Sequence, residues 1–183
     1  MSDELLIRHC SPTLAGLKTG SLFPTSFSEE EDPEKVIGKL NARFFEKKLR
    51  FAAVCRKNGI VLIYVYRPSK LRRDLQNETA KQILISRGYT PDKPAQCVSR
   101  LIGCLRNSRD FPHEIGLFLG YPAEDVKGFI CHNAGKCKCC GYWKVYGNVE
   151  QAEKTFAKFT KCKRVYYEQW SSGKSIERLT VAV

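Results

Sequence analysis

The chain has 183 residues, and its 31 Lys and Arg against 19 Asp and Glu give a formal net charge of +12. A hydrophobic content of 43%, with ten Phe, eight Tyr and two Trp, is enough to form a core and excludes a wholly disordered chain. Nine cysteines, an odd number, exclude complete disulfide pairing within the chain.

The first forty residues predict two helices joined by a polar loop over residues 25–32. Ser11 followed by Pro12 is typical of a helix start, because Ser caps free N–H groups and Pro fits the first turn. This helix is expected to end at Gly20. Asp32 followed by Pro33 repeats the pattern and predicts a second helix.

Two strand-like runs follow at residues 49–55 and 60–66. They are separated by Lys57, Asn58 and Gly59, and Asn-Gly supplies the positive φ angles of a tight turn. The sequence therefore predicts a β-hairpin here.

The rest of the chain predicts mixed helices and strands. Helices are expected over residues 69–76, 77–87, 94–107, from Pro122, and from an Asn148 cap through Lys161. Strands are expected over residues 115–119, 142–146, 163–169 and 179–183. Together these elements predict one α+β domain over residues 1–183, with a mainly antiparallel sheet packed against several helices.

The N-terminal segment carries Asp3 and Glu4 where a secretory signal would carry basic residues. The longest apolar run, residues 60–66, is far shorter than the ~20 residues that cross a bilayer. We therefore expect a soluble cytoplasmic protein, without a membrane partner, whose thiols are reduced.

The positive charge is uneven along the sequence. Residues 1–41 hold four basic and seven acidic groups, whereas residues 127–164 hold nine basic groups against Glu150 and Glu153. Such a field attracts polyanions or acidic proteins, although a solvated basic face is the simpler reading. In residues 142–146, alternation places Tyr142, Lys144 and Tyr146 on one face, a possible stacking platform, and Trp143 and Val145 on the other face, in the core.

Cys10 is the first candidate for chemistry. It precedes the predicted Pro12 helix start, where the helix dipole would stabilise a thiolate. His113, just before the predicted strand 115–119, could act as its base, and Asn148 could orient the imidazole. Glu114, Glu124 and Asp125 are alternatives for that third role; buried or capping functions explain each residue equally well.

This order of Cys, His and Asn resembles that of papain-like cysteine peptidases, and residues 113–120 are similar to the His-bearing strand of that superfamily. The resemblance implies a papain-like arrangement of the α+β fold.

A second candidate is the cysteine-rich segment of residues 131–140. Cys137 and Cys140 form a C-x-x-C pair, and Cys131, His132 or Cys139 could add ligands for zinc or an iron–sulfur cluster. The spacing matches no standard zinc finger. A loop that merely contains cysteines is the alternative.

Four blocks, residues 9–19, 64–68, 111–122 and 141–147, resemble the signature blocks of domain-of-unknown-function family 3793, found mainly in anaerobic bacteria. The resemblance spans almost the whole chain and implies no activity. It does imply that Cys10 and His113 lie inside signature blocks.

The sequence thus favours a thiol-dependent acyl-transfer enzyme without a cofactor, in which Cys10 attacks a carbonyl and His113 acts as base and then acid. It would be an amide or thioester hydrolase, or an amide-forming transpeptidase-like acyltransferase. Its substrate would be a small acyl or peptide-like molecule, and the basic surface suits an acidic carrier protein. The alternatives are a metal or redox module on Cys131, Cys137, Cys139 and Cys140, and a small nucleic-acid-binding domain.

Overall fold

The computed structural model describes residues 1–28, 30–57, 59–107 and 111–183. The helices are α1 (Asp3–Leu14), α2 (Pro33–Arg43), α3 (Pro68–Leu75), α4 (Glu78–Ser86), α5 (Pro94–Asn107), α6 (Ile115–Phe118), α7 (Ala123–Cys131), α8 (Val149–Ser171) and α9 (Ile176–Leu179). The strands are β1 (Gly20–Ser26), β2 (Arg50–Lys57), β3 (Ile60–Tyr66), β4 (Cys139–Cys140) and β5 (Lys144–Val145). The predicted α+β class with an antiparallel sheet is confirmed.

The main sheet has the order β1-β3-β2, and both outer strands run antiparallel to β3. The predicted β2–β3 hairpin is confirmed, while Asn58 in its turn lies outside the described residues. Strand β1 was missed: we expected a helix end and a loop there. Pro24 fits an edge strand, which does not need every backbone donor, and the partner strand is distant in sequence.

Strand β3 is buried on both faces because it lies between two cores. Alternation along the strand sends Val61, Ile63 and Val65 into a first core and Tyr64 into a second. The first core also holds apolar side chains of α1, α2 and α9, and the second those of α3 to α7. A smaller cluster lies under the β4–β5 hairpin, against the first half of α8.

Helix α1 begins nine residues earlier than the Pro12 start that we expected. The Ser2 hydroxyl caps it by accepting from the Leu5 N–H at 3.3 Å, and Asp3 lies in the first turn where the helix dipole favours acid. Pro12 is in the last turn, where it lacks the N–H that would bond to the Arg8 carbonyl. Cys10 is therefore in the helix interior, not at its start.

Arg67 closes the C-terminal end of α1. Its side chain is fully buried and donates to the carbonyl oxygens of Thr13 at 2.6 Å, Leu14 at 2.7 Å and Val181 at 2.9 Å. The Thr13 and Leu14 carbonyls also accept from the backbone N–H groups of Gly16 and Val181, each at 3.1 Å, so the guanidinium adds a second donor to each helix-end carbonyl. One arginine thus joins the β3–α3 connection, α1 and the C-terminal segment.

Three of the predicted strands are wrong. Residues 115–119 form the short helix α6, whose apolar run is buried on all sides, and periodicity alone cannot separate such a run from a strand. Residues 163–169 belong to α8, where Ala152, Phe159 and Cys162 recur at helical spacing. Residues 179–183 form no strand, and α9 ends at Leu179.

The remaining predicted helices are confirmed as α2, α3, α4, α5 and α7. Asp32 caps α2 by accepting from the Glu34 N–H at 3.0 Å, and Asn148 caps α8 by accepting from the Gln151 N–H at 2.9 Å. In the described part of the chain, no helix is both long enough and apolar enough to span a membrane.

Candidate functional site

A cavity of about 350 Å³ lies between α6, α7 and the β4–β5 hairpin. We call it the aromatic cavity because six rings line it, those of Phe111, His113, Tyr121, Phe129, Tyr142 and Trp143. Its other lining groups are Ile115, Gly116, Val126, Asp125, Cys140, Gly141 and Lys144. The wall is thus mainly apolar, with few polar groups.

Close packing of α6 on α7 forms the floor of the aromatic cavity. A Cβ on Gly116 would lie only 2.7 Å from a Val126 methyl group, so this crossing requires glycine. After α6, Gly120 turns the chain at φ +77°, a conformation that L side chains rarely adopt, and Tyr121 follows against the hairpin.

Asp125 fixes the hairpin to α7. Its carboxylate is 3% exposed and accepts from the Trp143 indole N–H and from the backbone N–H groups of Tyr146 and Gly147, each at 2.7 Å. Three donors satisfy this buried charge without a cation. Asp125 therefore acts as a structural anchor of the hairpin.

Trp143 connects the aromatic cavity to α8. Its ring stacks on Tyr121 at 5.1 Å between centroids and meets the edge of Phe156 at 4.5 Å. The prediction that Trp143 and Val145 face the core is confirmed, although the strand shortens to β5. The sequence did not indicate that Phe129 lines a cavity. Helix α7 and the hairpin come together only in the folded chain, so no local pattern marks this residue.

His113 lies on the wall of the aromatic cavity, in the turn before α6. Its ring meets Phe129 at 5.1 Å between centroids, with an interplanar angle of 71°. The expected strand after His113 is absent, but the imidazole does border a space that a ligand could enter.

Cys10 lies elsewhere, in the first core between α1 and the sheet. Its side chain is fully buried, and burial raises the pKa of the thiol to about 12. Lys18, a hydrogen bond with Ser21 and Lys163 offset this pKa rise only in part. Cys10 is not among the described residues that line the aromatic cavity. The basis for a reactive thiol at position 10, a helix start, is thus wrong.

Two further candidates for the third catalytic role, Asn148 and Glu114, are engaged in other contacts. Asn148 is exposed and caps α8. Glu114 is buried, accepts from the Tyr89 hydroxyl at 2.9 Å and pairs with Arg87 at 3.1 Å. Glu124 is exposed beside Gly147.

The cysteine-rich segment is divided between two surfaces. Cys140 is exposed and borders the aromatic cavity, whereas Cys131 is exposed at the end of α7 and borders a groove beside α4. Among the described residues, which include Cys137 and Cys139, no group of three or more His, Cys, Asp or Glu side chains could hold a metal ion. The structure does not assemble the ligand set that the sequence suggested.

Two lysines lie over tyrosines of the cavity wall. The Lys18 amine is 5.2 Å from the Tyr121 ring centre, and the Lys163 amine is 5.0 Å from that of Tyr142. Burial lowers the pKa of Lys18 to about 8, Cys10 opposes this, and the charge of Lys163 lowers it further. Both lysines thus make cation–π contacts with rings of the cavity wall.

Together, the sheet, the surrounding helices and the aromatic cavity define a helix-rich α+β protein with an apolar candidate ligand site. Residues 6–180 match the family model described as "Protein of unknown function (DUF3793)", and the chain belongs to that family. No curated protein and no solved structure matches the chain. The expected family is thus confirmed.

Proposed function

We propose that the protein binds a small molecule with a flat or apolar body in the aromatic cavity. The observation that carries this proposal is the lining, six rings around about 350 Å³. This volume is in the range of small-molecule sites, which are typically concave, mostly apolar and provided with few polar groups.

The polar groups of the cavity limit how a ligand is oriented. Asp125 is already satisfied by three donors, and the Lys144 amine donates to the Ala134 carbonyl at 2.7 Å. Among the described lining side chains, the groups left to meet a polar end of the ligand include the imidazole of His113, the thiol of Cys140 and the hydroxyl of Tyr121. A ligand with an apolar body and one carbonyl or similar acceptor fits this pattern.

The experiment uses the fluorescence of Trp143 in a Trp170→Phe background, which removes the other tryptophan of the chain. Titration with a panel of aromatic and short acyl compounds should give saturable quenching. Phe129→Ala should weaken binding by about tenfold through lost ring contact, whereas Tyr167→Ala, an exposed ring on α8, should not. Absence of saturable quenching across the panel would refute the proposal.

The second candidate is thiol-dependent acyl transfer, now with Cys140 in place of Cys10. The observation that favours it is that Cys140 and His113 line the same cavity. His113 would accept the thiol proton, and the Cys140 sulfur would attack the carbonyl of a thioester. The acyl group then forms a new thioester with Cys140, the leaving thiolate takes the proton from His113, and water or an amine receives the acyl group.

A limiting amount of iodoacetamide tests the thiol. Cys140 should be labelled faster than Cys131, an exposed cysteine outside the cavity and thus the matched control. Cys140→Ser and His113→Gln should abolish hydrolysis of a short-chain acyl thioester, while Cys131→Ser should retain it. Equal labelling of the two cysteines, or activity retained in Cys140→Ser, would exclude this chemistry without affecting the binding proposal.

A further inference from the structure

A second cavity, of about 400 Å³, lies between the turn after α2 and the start of α3. We call it the cationic cavity. The lining groups that matter here are Phe45, Glu46, Lys48, Arg50, Ser69 and Arg72. It is on a different part of the molecule from the aromatic cavity and shares no lining residue with it.

Three cations line this cavity and only one acid, Glu46. In the described ranges, no carboxylate lies within 4.0 Å of the charged groups of Lys48, Arg50 or Arg72. By contrast, Arg73, the next residue of α3, pairs with Asp74 at 3.3 Å. The cavity thus holds excess positive charge that an anion would neutralise.

The backbone around the cavity adds to its suitability for an anion. Arg67, at the N-cap of α3, makes no side-chain hydrogen bond to the first turn, so the N–H groups there and the Ser69 hydroxyl remain available as donors. Lys48 has φ +54° in the turn after α2, where its backbone N–H donates to the Phe45 carbonyl at 2.9 Å and fixes the point from which its side chain extends.

An aromatic ring borders the same space. Phe45 is 58% exposed, unusual for a residue of this size, and the Arg50 guanidinium lies 5.1 Å from its ring centre. An exposed ring beside a guanidinium is the kind of platform on which a nucleobase stacks.

We propose that the cationic cavity binds a nucleoside phosphate. Arg72, Lys48 and the Ser69 hydroxyl contact the phosphate, and the base stacks on Phe45 beside Arg50. The ligand is either a free mononucleotide or one unit of a single-stranded nucleic acid, which share this chemistry. The inference goes beyond the proposed function and does not depend on the aromatic cavity.

The test is isothermal titration calorimetry with four probes: adenosine 5′-monophosphate, adenosine, inorganic phosphate and a short oligoadenylate. The nucleotide should bind more tightly than either adenosine or phosphate alone, because only it engages both the ring and the cations. Higher salt should weaken its binding. If the oligoadenylate binds and the mononucleotide does not, the same contacts serve a nucleic acid.

Variants distinguish nucleotide binding in this cavity from non-specific electrostatic binding of an anion to a basic protein. Arg72→Gln should weaken nucleotide binding by about tenfold, and Arg73→Gln, which removes the same charge one residue away, should have little effect. Phe45→Ala should remove the advantage of the nucleotide over inorganic phosphate. Circular dichroism checks that each variant is folded. Equal weakening by Arg72→Gln and Arg73→Gln, or no binding of the nucleotide and the oligoadenylate, would overturn the proposal.

Discussion

Arg67 and Asp125 are two deeply buried charges that hold different regions of the molecule. Arg67 donates to four carbonyl oxygens, at the end of α1, in the C-terminal segment and in the turn after α2, and Asp125 accepts from three N–H groups in and after the hairpin. In both cases peptide or indole dipoles, not an opposite charge, replace water around the ion. Each residue therefore fixes distant segments of the chain.

The two regions differ in what surrounds the anchor. Around Arg67 the side chains close into the first core, which includes the fully buried Cys10. Around Asp125 the rings of the hairpin and α7 leave the aromatic cavity, with Cys140 and His113 on its wall. Cys140 is a candidate for chemistry because a ligand in the cavity could reach it. Cys10 has no such access, and its burial indicates a structural role.

The largest expected effect is at Arg67. Arg67→Met removes four hydrogen bonds of a buried guanidinium, and we expect it to lower the free energy of unfolding by about 3–5 kcal/mol. Urea denaturation measures this. Arg72→Met, an exposed arginine on α3, should change stability by less than about 0.5 kcal/mol. If Arg67→Met lowers the free energy of unfolding by less than about 1 kcal/mol, Arg67 does not anchor its region as Asp125 anchors the hairpin.

Asp125→Asn should have the next largest effect and lower the free energy of unfolding by about 2 kcal/mol. A neutral amide oxygen accepts more weakly than a carboxylate, and the amide NH2 group would face backbone or indole N–H donors. The emission of Trp143 should shift as its indole loses its acceptor. Glu124→Gln, an exposed neighbour, is the matched control and should leave both stability and emission unchanged. Unchanged emission in Asp125→Asn would contradict the anchoring role.

Cys10 predicts a pH dependence. Its thiol pKa rises from 9.0 to about 12 on folding, so between these values the folded state holds a proton that the unfolded chain has released, and stability falls as the pH rises. Cys10→Ala should be less stable at neutral pH but lose less stability than the natural chain between about pH 8 and about pH 10. Parallel urea titrations at the two pH values test this. Equal losses would show that Cys10 is solvated.

The smallest effect on the free energy of unfolding is expected at Tyr146. Its hydroxyl is buried and has no hydrogen-bond partner among the described residues. Tyr146→Phe should be neutral or should stabilise the protein by up to about 1 kcal/mol. Tyr64→Phe is the matched comparison, since the Tyr64 hydroxyl donates to the Phe118 carbonyl at 2.6 Å, and it should be destabilising. If Tyr146→Phe is the more destabilising of the two, the Tyr146 hydroxyl has a partner in solution.

Local patterns predicted much of the fold. The Asp32 and Asn148 caps, the β2–β3 hairpin and the helices from α3 to α5 depend on neighbouring residues, so the sequence alone was sufficient for them. Strand β1 and helix α6 could not be assigned in this way, because an edge strand needs a distant partner and a short buried apolar run has no distinctive period.

The candidate site depended far more on tertiary structure. The sequence by itself identified the family, the α+β class and His113 as a residue of interest. Only the folded chain placed Cys10 in a core, brought Cys140 and His113 to one cavity and gathered around another three cations that have no carboxylate partner in the described part of the chain. Access and proximity arise from contacts between segments far apart in the sequence, and residue spacing along the chain carries no information about them.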